Sequence, residues 1–155
     1  MSPRHAAARL LASAGIPVFP CLINSRAPVG WLVPNGLKDR TTDLALVDKW
    51  WGQGDWNLAV VPEDLGCFVV DIDMKHGNNG LEVWQALCAE HGWTATCSCV
   101  VRTPSGGWHL YFRGSQANSV GTPKRGLGPG IDIRGREGYA LVPPSVVDGV
   151  EYTYA

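Results

Sequence analysis

The stretch Phe68-Val69-Val70-Asp71-Ile72-Asp73 ends an apolar run on two acidic residues. Side chains of a strand alternate between its two faces, so Asp71 and Asp73 project from one face and their apolar neighbours from the other. Two carboxylates at this spacing repel each other unless a hard cation neutralises them. The stretch therefore predicts either a divalent-metal site or a solvated strand end before the turn at residues 75–77.

A second stretch, Trp108-His109-Leu110-Tyr111-Phe112-Arg113, has the same alternation. His109, Tyr111 and Arg113 share one face, and the apolar residues share the other. The turn Pro104-Ser105-Gly106-Gly107 precedes it, and adjacent glycines let backbone N–H groups approach an anion. We therefore expect a phosphate contact at His109 and this turn, with a purely structural histidine as the alternative.

A third stretch, Ile131-Asp132-Ile133-Arg134, places two isoleucines on one face and an acid and a base on the other. Asp132 is the only acid among residues 91–136, which carry six basic groups. It is either a third metal ligand beside an arginine suited to phosphate, or half of a plain ion pair with Arg134. If the three strands are neighbours, one open sheet face carries all these polar groups.

The rest of the chain predicts an α+β fold with a mixed or antiparallel sheet. The 19 glycines and 11 prolines among 155 residues argue against a helical bundle, and 45% hydrophobic residues argue against disorder. The length suits one domain, residues 1–155. The predicted helices are 4–14, 43–51 after a cap at Thr42, and 79–90 capped by Asn79. The predicted strands are 16–22, 57–61, 66–73, 94–103, 108–113, 130–134, 139–142 and 150–154.

Charge and cysteine content restrict the partners and the compartment. The net charge of −1 gives no global basic field for nucleic acid, but an acidic block, residues 39–90, precedes the basic block at 91–136. No 18-residue apolar run is present, so we expect no membrane span. Five cysteines without a secretory leader indicate reduced thiols and a cytoplasmic protein. Cys88, His91, Cys97 and Cys99 lack a Cys-x2-Cys knuckle, so the sequence does not favour zinc.

In their order and spacing, these motifs resemble the bifunctional primase–polymerase (prim-pol) domain of the archaeo-eukaryotic primase superfamily. That domain occurs in plasmid, phage and bacterial replication proteins. The resemblance covers nearly all of the chain. It rests on Asp71-Ile72-Asp73, Thr103 to Phe112, Gly130 to Gly135, Gly138-Tyr139 and Pro143-Pro144-Ser145, together with Gly15 to Pro20, Pro28, Lys38 to Asp43 and Trp50-Trp51.

The resemblance implies an RRM-like catalytic core with flanking helices. Asp71, Asp73 and Asp132 match the acids that bind two Mg²⁺ or Mn²⁺ ions, and His109 matches a catalytic, nucleotide-contacting histidine. By position, Arg134 and the turn residues Ser105, Gly106 and Gly107 are candidates for the triphosphate. Arg113, Lys124 and Arg125 are weaker candidates for DNA.

The expected activity is that of a template-directed DNA primase/polymerase, which transfers a nucleotide from an NTP or dNTP to a 3′-hydroxyl and releases pyrophosphate. The expected partners are single-stranded or primed DNA and the nucleotide, and the resemblance allows a helicase or a primase C-terminal domain beyond residue 155. Two alternatives stay open. One is a metal-dependent phosphoesterase or nuclease that uses the same acids, and the other is a non-catalytic module that binds nucleotide or DNA.

Overall fold

The structure, a computed structural model, describes residues 1–94, 96–120 and 127–155. Within them lie helices α1 (Pro3–Ser13), α2 (Leu44–Trp51) and α3 (Gly80–His91). The strands are β1 (Val18–Cys21), β2 (Asn57–Val60), β3 (Cys67–Ile72), β4 (Cys99–Arg102), β5 (Trp108–Arg113), β6 (Ile131–Arg134), β7 (Ala140–Leu141), β8 (Val146–Val147), β9 (Val150–Glu151) and β10 (Thr153–Tyr154). The predicted α+β class is confirmed, and these strands all pair antiparallel.

The larger sheet has the order β10-β4-β5-β3-β6, so β3 lies between the two other strands with polar motifs. Residues at alternate positions of a strand point to the same face, and in β3 and β6 one such set is apolar, which makes one face of this sheet apolar. Val70, Ile72 and Ile131 are buried there, with α3 packed over them. Burial of each such side chain contributes about 1.5–3 kcal/mol, which fixes the register of β3.

The opposite face of the larger sheet packs on the smaller sheet, whose order is β1-β2-β7. Val69, Val101 and Tyr111 join the main core there, together with helices α1 and α2. Tyr111 is only 5% exposed, so the polar face that we expected to be open is covered along most of its length. Toward the end of the strands that carries Asp71 and Asp132, this face opens into a small polar pocket.

Local signals predicted most elements, with several differences. The Asn79 cap is confirmed, because its Oδ1 accepts from Glu82 N at 3.2 Å. The cap of α2 is Asp43 and not Thr42, since Asp43 Oδ1 accepts from Ala45 N at 2.9 Å. The strand predicted over 94–103 is shorter in the structure, where β4 covers only Cys99–Arg102. The sequence did not predict β8, because a strand of two residues is too short to show alternation.

Among the described residues, none of the helices has both the length and the apolar character that a membrane span requires. The longest of the three, α3, has 12 residues, whereas a span needs about 20.

Candidate active site

Three of the predicted site residues lie in one row across the larger sheet. Asp71 in β3 is directly opposite His109 in β5 and directly opposite Asp132 in β6. Directly opposed residues of antiparallel strands point to the same face, with Cβ atoms about 4.5–5.5 Å apart. Register alone therefore places an imidazole on one side of the Asp71 carboxylate and a second carboxylate on the other.

Asp73 joins this row from just beyond the end of β3. Its N–H donates to Gly130 O at 2.7 Å, and its Oδ1 accepts from Lys75 N at 2.8 Å. Gly130 has a φ of +77°, and a Cβ there would lie 2.8 Å from Asp73 O, so glycine is required for this close approach. All three acids line one small polar pocket together with His109.

The Asp71 carboxylate lies between the side chains of Arg134 and His109. Arg134 donates from Nε and Nη2 to Asp71 Oδ2, at 3.1 and 2.9 Å, and His109 Nε2 lies 3.5 Å from Oδ1. Burial alone would raise the pKa of Asp71, but the neighbouring His109 and Arg134 together hold it well below its usual value. Asp71 is thus an ionised carboxylate at neutral pH.

His109 is only 3% exposed, with its ring 5.9 Å from that of buried Tyr152. Its Nδ1 is buried and has no hydrogen-bond partner among the described residues. Such an unpaired polar atom costs about 1–3 kcal/mol. A residue kept at that cost inside a pocket is typical of a functional site.

Asp132 lies in a repulsive environment. Burial raises its pKa first, and the charges of Asp71 and Asp73 raise it further, while Arg134 opposes them. Three mutually repelling carboxylates are the oxygen donors that Mg²⁺ and Mn²⁺ prefer, so the chemistry of the donor set fits a hard cation. As placed, however, no group of three or more His, Cys, Asp and Glu side chains in the described part of the chain could hold a metal ion.

The turn before β5 closes on itself. The Gly106 N–H donates to Thr103 O at 3.0 Å, and the Gly107 N–H donates to Thr103 Oγ1 at 3.1 Å. A Cβ on Gly107 would lie 2.1 Å from Ile72 O, so this glycine permits contact between the turn and β3. Both glycine N–H groups are engaged within the turn, and Ser105 is the turn residue that lines the pocket.

Residues 7–155 match the family described as bifunctional DNA primase/polymerase, N-terminal. The chain belongs to this prim-pol family. This is the family that the motifs predicted. Membership implies a primase/polymerase that binds nucleotide and nucleic acid. A comparison with curated proteins finds no significant match.

Sequence reasoning missed three polar residues that line the pocket of this prim-pol domain, namely Arg26, Lys75 and Thr103. Lys75 is two positions beyond Asp73, and this proximity was a usable signal. Arg26 lies in a loop without periodicity, 45 positions before Asp71, the first of the three pocket acids. No local pattern could have placed it at the site.

The three weaker DNA-binding candidates are not brought to the pocket. Arg113 is opposite Cys67, four residues along the strand from His109, which corresponds to about 13 Å. Lys124 and Arg125 lie outside the described residues. Among the cysteines, Cys88 and Cys97 line an apolar pocket beneath α3, whereas Cys99 lines a pocket on the other face of the sheet.

Proposed function

We propose that this prim-pol domain is a template-directed DNA primase/polymerase that adds nucleotides from an NTP or dNTP to a 3′-hydroxyl. The observation that supports it best is the row of His109, Asp71 and Asp132 across three adjacent strands, with Asp73 beside it. A pocket that combines three carboxylates with three cationic side chains suits a substrate that brings both metal ions and phosphates.

In this proposal Asp71, Asp73 and Asp132 hold two Mg²⁺ or Mn²⁺ ions. The bound ions would supply Lewis acidity, lowering the pKa of the 3′-hydroxyl and neutralising the pyrophosphate leaving group. His109 Nε2 and the Ser105 hydroxyl orient the phosphates from one side of the acids. Arg134, now bonded to Asp71, exchanges that partner for phosphate oxygens when Asp71 binds a cation.

A primed DNA template with a labelled primer tests the proposal. We expect Mg²⁺- or Mn²⁺-dependent primer extension with pyrophosphate release. The variants Asp71→Asn and Asp132→Asn should each lose at least about 100-fold in rate, since each removes a charged ligand. Glu90→Gln, an exposed substitution near the end of α3, is the matched control and should extend like the unaltered protein.

Extension that persists in both aspartate variants would overturn the assignment of the acids. Shortening of the template or primer instead of elongation would indicate a phosphoesterase or nuclease that uses the same residues.

One observation favours a second function, a module that binds nucleotide or DNA without turnover. Asp71 is already neutralised by Arg134, and the described acids do not converge on a point where a metal would bind. This alternative predicts nucleotide binding that needs no divalent cation and no primer extension under any condition. The activity assay and a metal-free binding titration separate the two functions.

A further inference from the structure

The orientation of the His109 ring does not come from a hydrogen bond at its second nitrogen. Histidines at functional sites are usually fixed by a hydrogen bond from the ring nitrogen that faces away from the site. In His109, Nε2 lies 3.5 Å from Asp71 Oδ1, but Nδ1 is buried and finds no hydrogen-bond partner among the described residues. The side chains packed around the ring therefore have to set its orientation.

Two buried side chains lie beside the His109 ring. Val101 in β4 is directly opposite His109, on the side of β5 away from Asp71. The Tyr152 ring lies 5.9 Å from the imidazole, with an angle of 43° between the two planes. Since aromatic rings at this distance prefer defined relative orientations, Tyr152 limits how far the imidazole can turn.

Tyr152 is itself held rigidly. It lies between β9, which pairs with β8, and β10, which pairs with β4, and its N–H donates to Ser145 O at 2.8 Å. Glu151 and Thr153 on either side are exposed, whereas the Tyr152 side chain is only 1% exposed and belongs to the main core. Because the core is closely packed, this ring is a rigid support for its neighbours.

Tyr152 lies behind the surface of the site. The carboxylate pocket is lined by His109 and Arg26 but not by Tyr152. Burial raises the pKa of the Tyr152 phenol, and the nearby Arg26 guanidinium opposes this rise. The phenol is therefore neutral at pH 7, and its ring packs beside the imidazole and not beside a ligand.

We propose that Tyr152 is a positioning residue that keeps the His109 ring turned with Nε2 toward Asp71 and the pocket. Its effect reaches a ligand only through His109. The contribution of His109 to nucleotide binding rests on the proposed function, whereas the orientation of its ring does not. Orientation matters because a displacement of about 1 Å at a site can cost about 100-fold in rate.

Nuclear magnetic resonance of the full chain, labelled with ¹³C in its four histidines, tests the orientation at one fixed pH. The His109→Leu variant identifies the His109 signals. We expect one sharp set of His109 signals in the unaltered protein, with a nuclear Overhauser effect between the His109 and Tyr152 rings. Tyr152→Phe keeps the ring and should keep the sharp signals, whereas Tyr152→Leu should broaden or double them.

A double-mutant cycle tests whether Tyr152 acts through His109. Calorimetric titration with dATP in Mn²⁺ should show binding about 10-fold weaker in Tyr152→Leu than in the unaltered protein. In the His109→Leu background, Tyr152→Leu should cause no further loss. Tyr152→Phe should keep most of the affinity. Tyr154→Leu is the matched control, because this nearby tyrosine is 61% exposed and its loss should leave both measurements unchanged.

Circular dichroism checks that each variant is folded. Sharp, single His109 signals in folded Tyr152→Leu, equal losses in Tyr152→Phe and Tyr152→Leu, or additive losses in the cycle would each overturn the proposal. If Tyr152→Leu does not fold, the missing Overhauser effect in the unaltered protein, or broadened signals in Tyr152→Phe, would overturn it instead. If Tyr152→Leu broadens the His109 signals but His109→Leu binds dATP normally, the positioning stands and the proposed role of His109 fails.

Discussion

Arg134 donates hydrogen bonds from two nitrogens to a single oxygen of Asp71, from Nε at 3.1 Å and from Nη2 at 2.9 Å to Oδ2. Its Nη1 donates to Tyr139 O at 3.1 Å, which fixes the guanidinium from the far side. Both side chains are mostly buried, so water weakens their attraction less than at a surface. Any cation that binds Asp71 has to compete with Arg134.

This competition predicts the behaviour of Arg134→Gln. Glutamine removes the positive charge that now pairs with the Asp71 carboxylate. We therefore expect Mn²⁺ affinity to rise about 10-fold, the equivalent of ~1.4 kcal/mol. Electron paramagnetic resonance of free Mn²⁺ measures the affinity without any activity assay. Arg113→Gln serves as the control. Weaker or unchanged Mn²⁺ binding would show that Arg134 does not oppose a cation at Asp71.

His109 offers a test that separates folding from function. Leucine at this position has a similar volume, and it removes the buried Nδ1 that has no partner among the described residues. His109→Leu should therefore change the free energy of unfolding by less than about 1 kcal/mol, while nucleotide binding and extension fall sharply. Urea unfolding and nucleotide titration measure the two effects. A large loss of stability with normal nucleotide affinity would make His109 a structural residue.

Gly107 tests whether the turn before β5 is needed for folding. A Cβ there would meet the Ile72 carbonyl at 2.1 Å, and backbone cannot move aside as a flexible side chain can. We expect Gly107→Ala to destabilise the fold by about 3 kcal/mol in urea unfolding. Gly30→Ala is the control, since a Cβ at Gly30 has nothing within 4 Å. Equal stability of the two variants would contradict the close approach.

Asn57 connects the stability of the fold to the position of Arg26. Its Nδ2 donates to Leu22 O, Ser25 O and Val146 O, at 3.2, 3.2 and 2.8 Å. Asn57→Ala removes these three bonds and the one that Val146 N donates to Asn57 Oδ1, so we expect a loss of about 3 kcal/mol in stability. We also expect weaker triphosphate binding by the fraction that stays folded, because the loop that carries Arg26 loses its anchor.

The exposed residue Asn35 gives the matching control for Asn57. Among the described residues its side chain bonds only to Asp39, so Asn35→Ala should stay within about 0.5 kcal/mol of the unaltered protein. Thermal unfolding compares both variants, and titration with tripolyphosphate follows the binding effect. Full triphosphate affinity in folded Asn57→Ala would separate this residue from the positioning of Arg26.

Much of the fold could be predicted because its signals are local. The alternation in 108–113 predicts β5 with the bounds that the structure shows, and Asn79 and Gly92 mark the ends of α3. The short strand β8 and the cap of α2 were not predicted correctly. The pairing of a two-residue strand, and the choice between two neighbouring capping residues, both depend on tertiary contacts.

The sequence by itself determined which face of each strand carries Asp71, His109 and Asp132, because alternation depends only on position along the chain. It also determined the family, through motifs whose order and spacing are intact. Only the tertiary structure decided that Arg134 pairs with Asp71, that the polar face is mostly covered, and that Arg26 reaches the pocket. Those three features arise from strand register and packing between residues far apart in the chain, which no local pattern encodes.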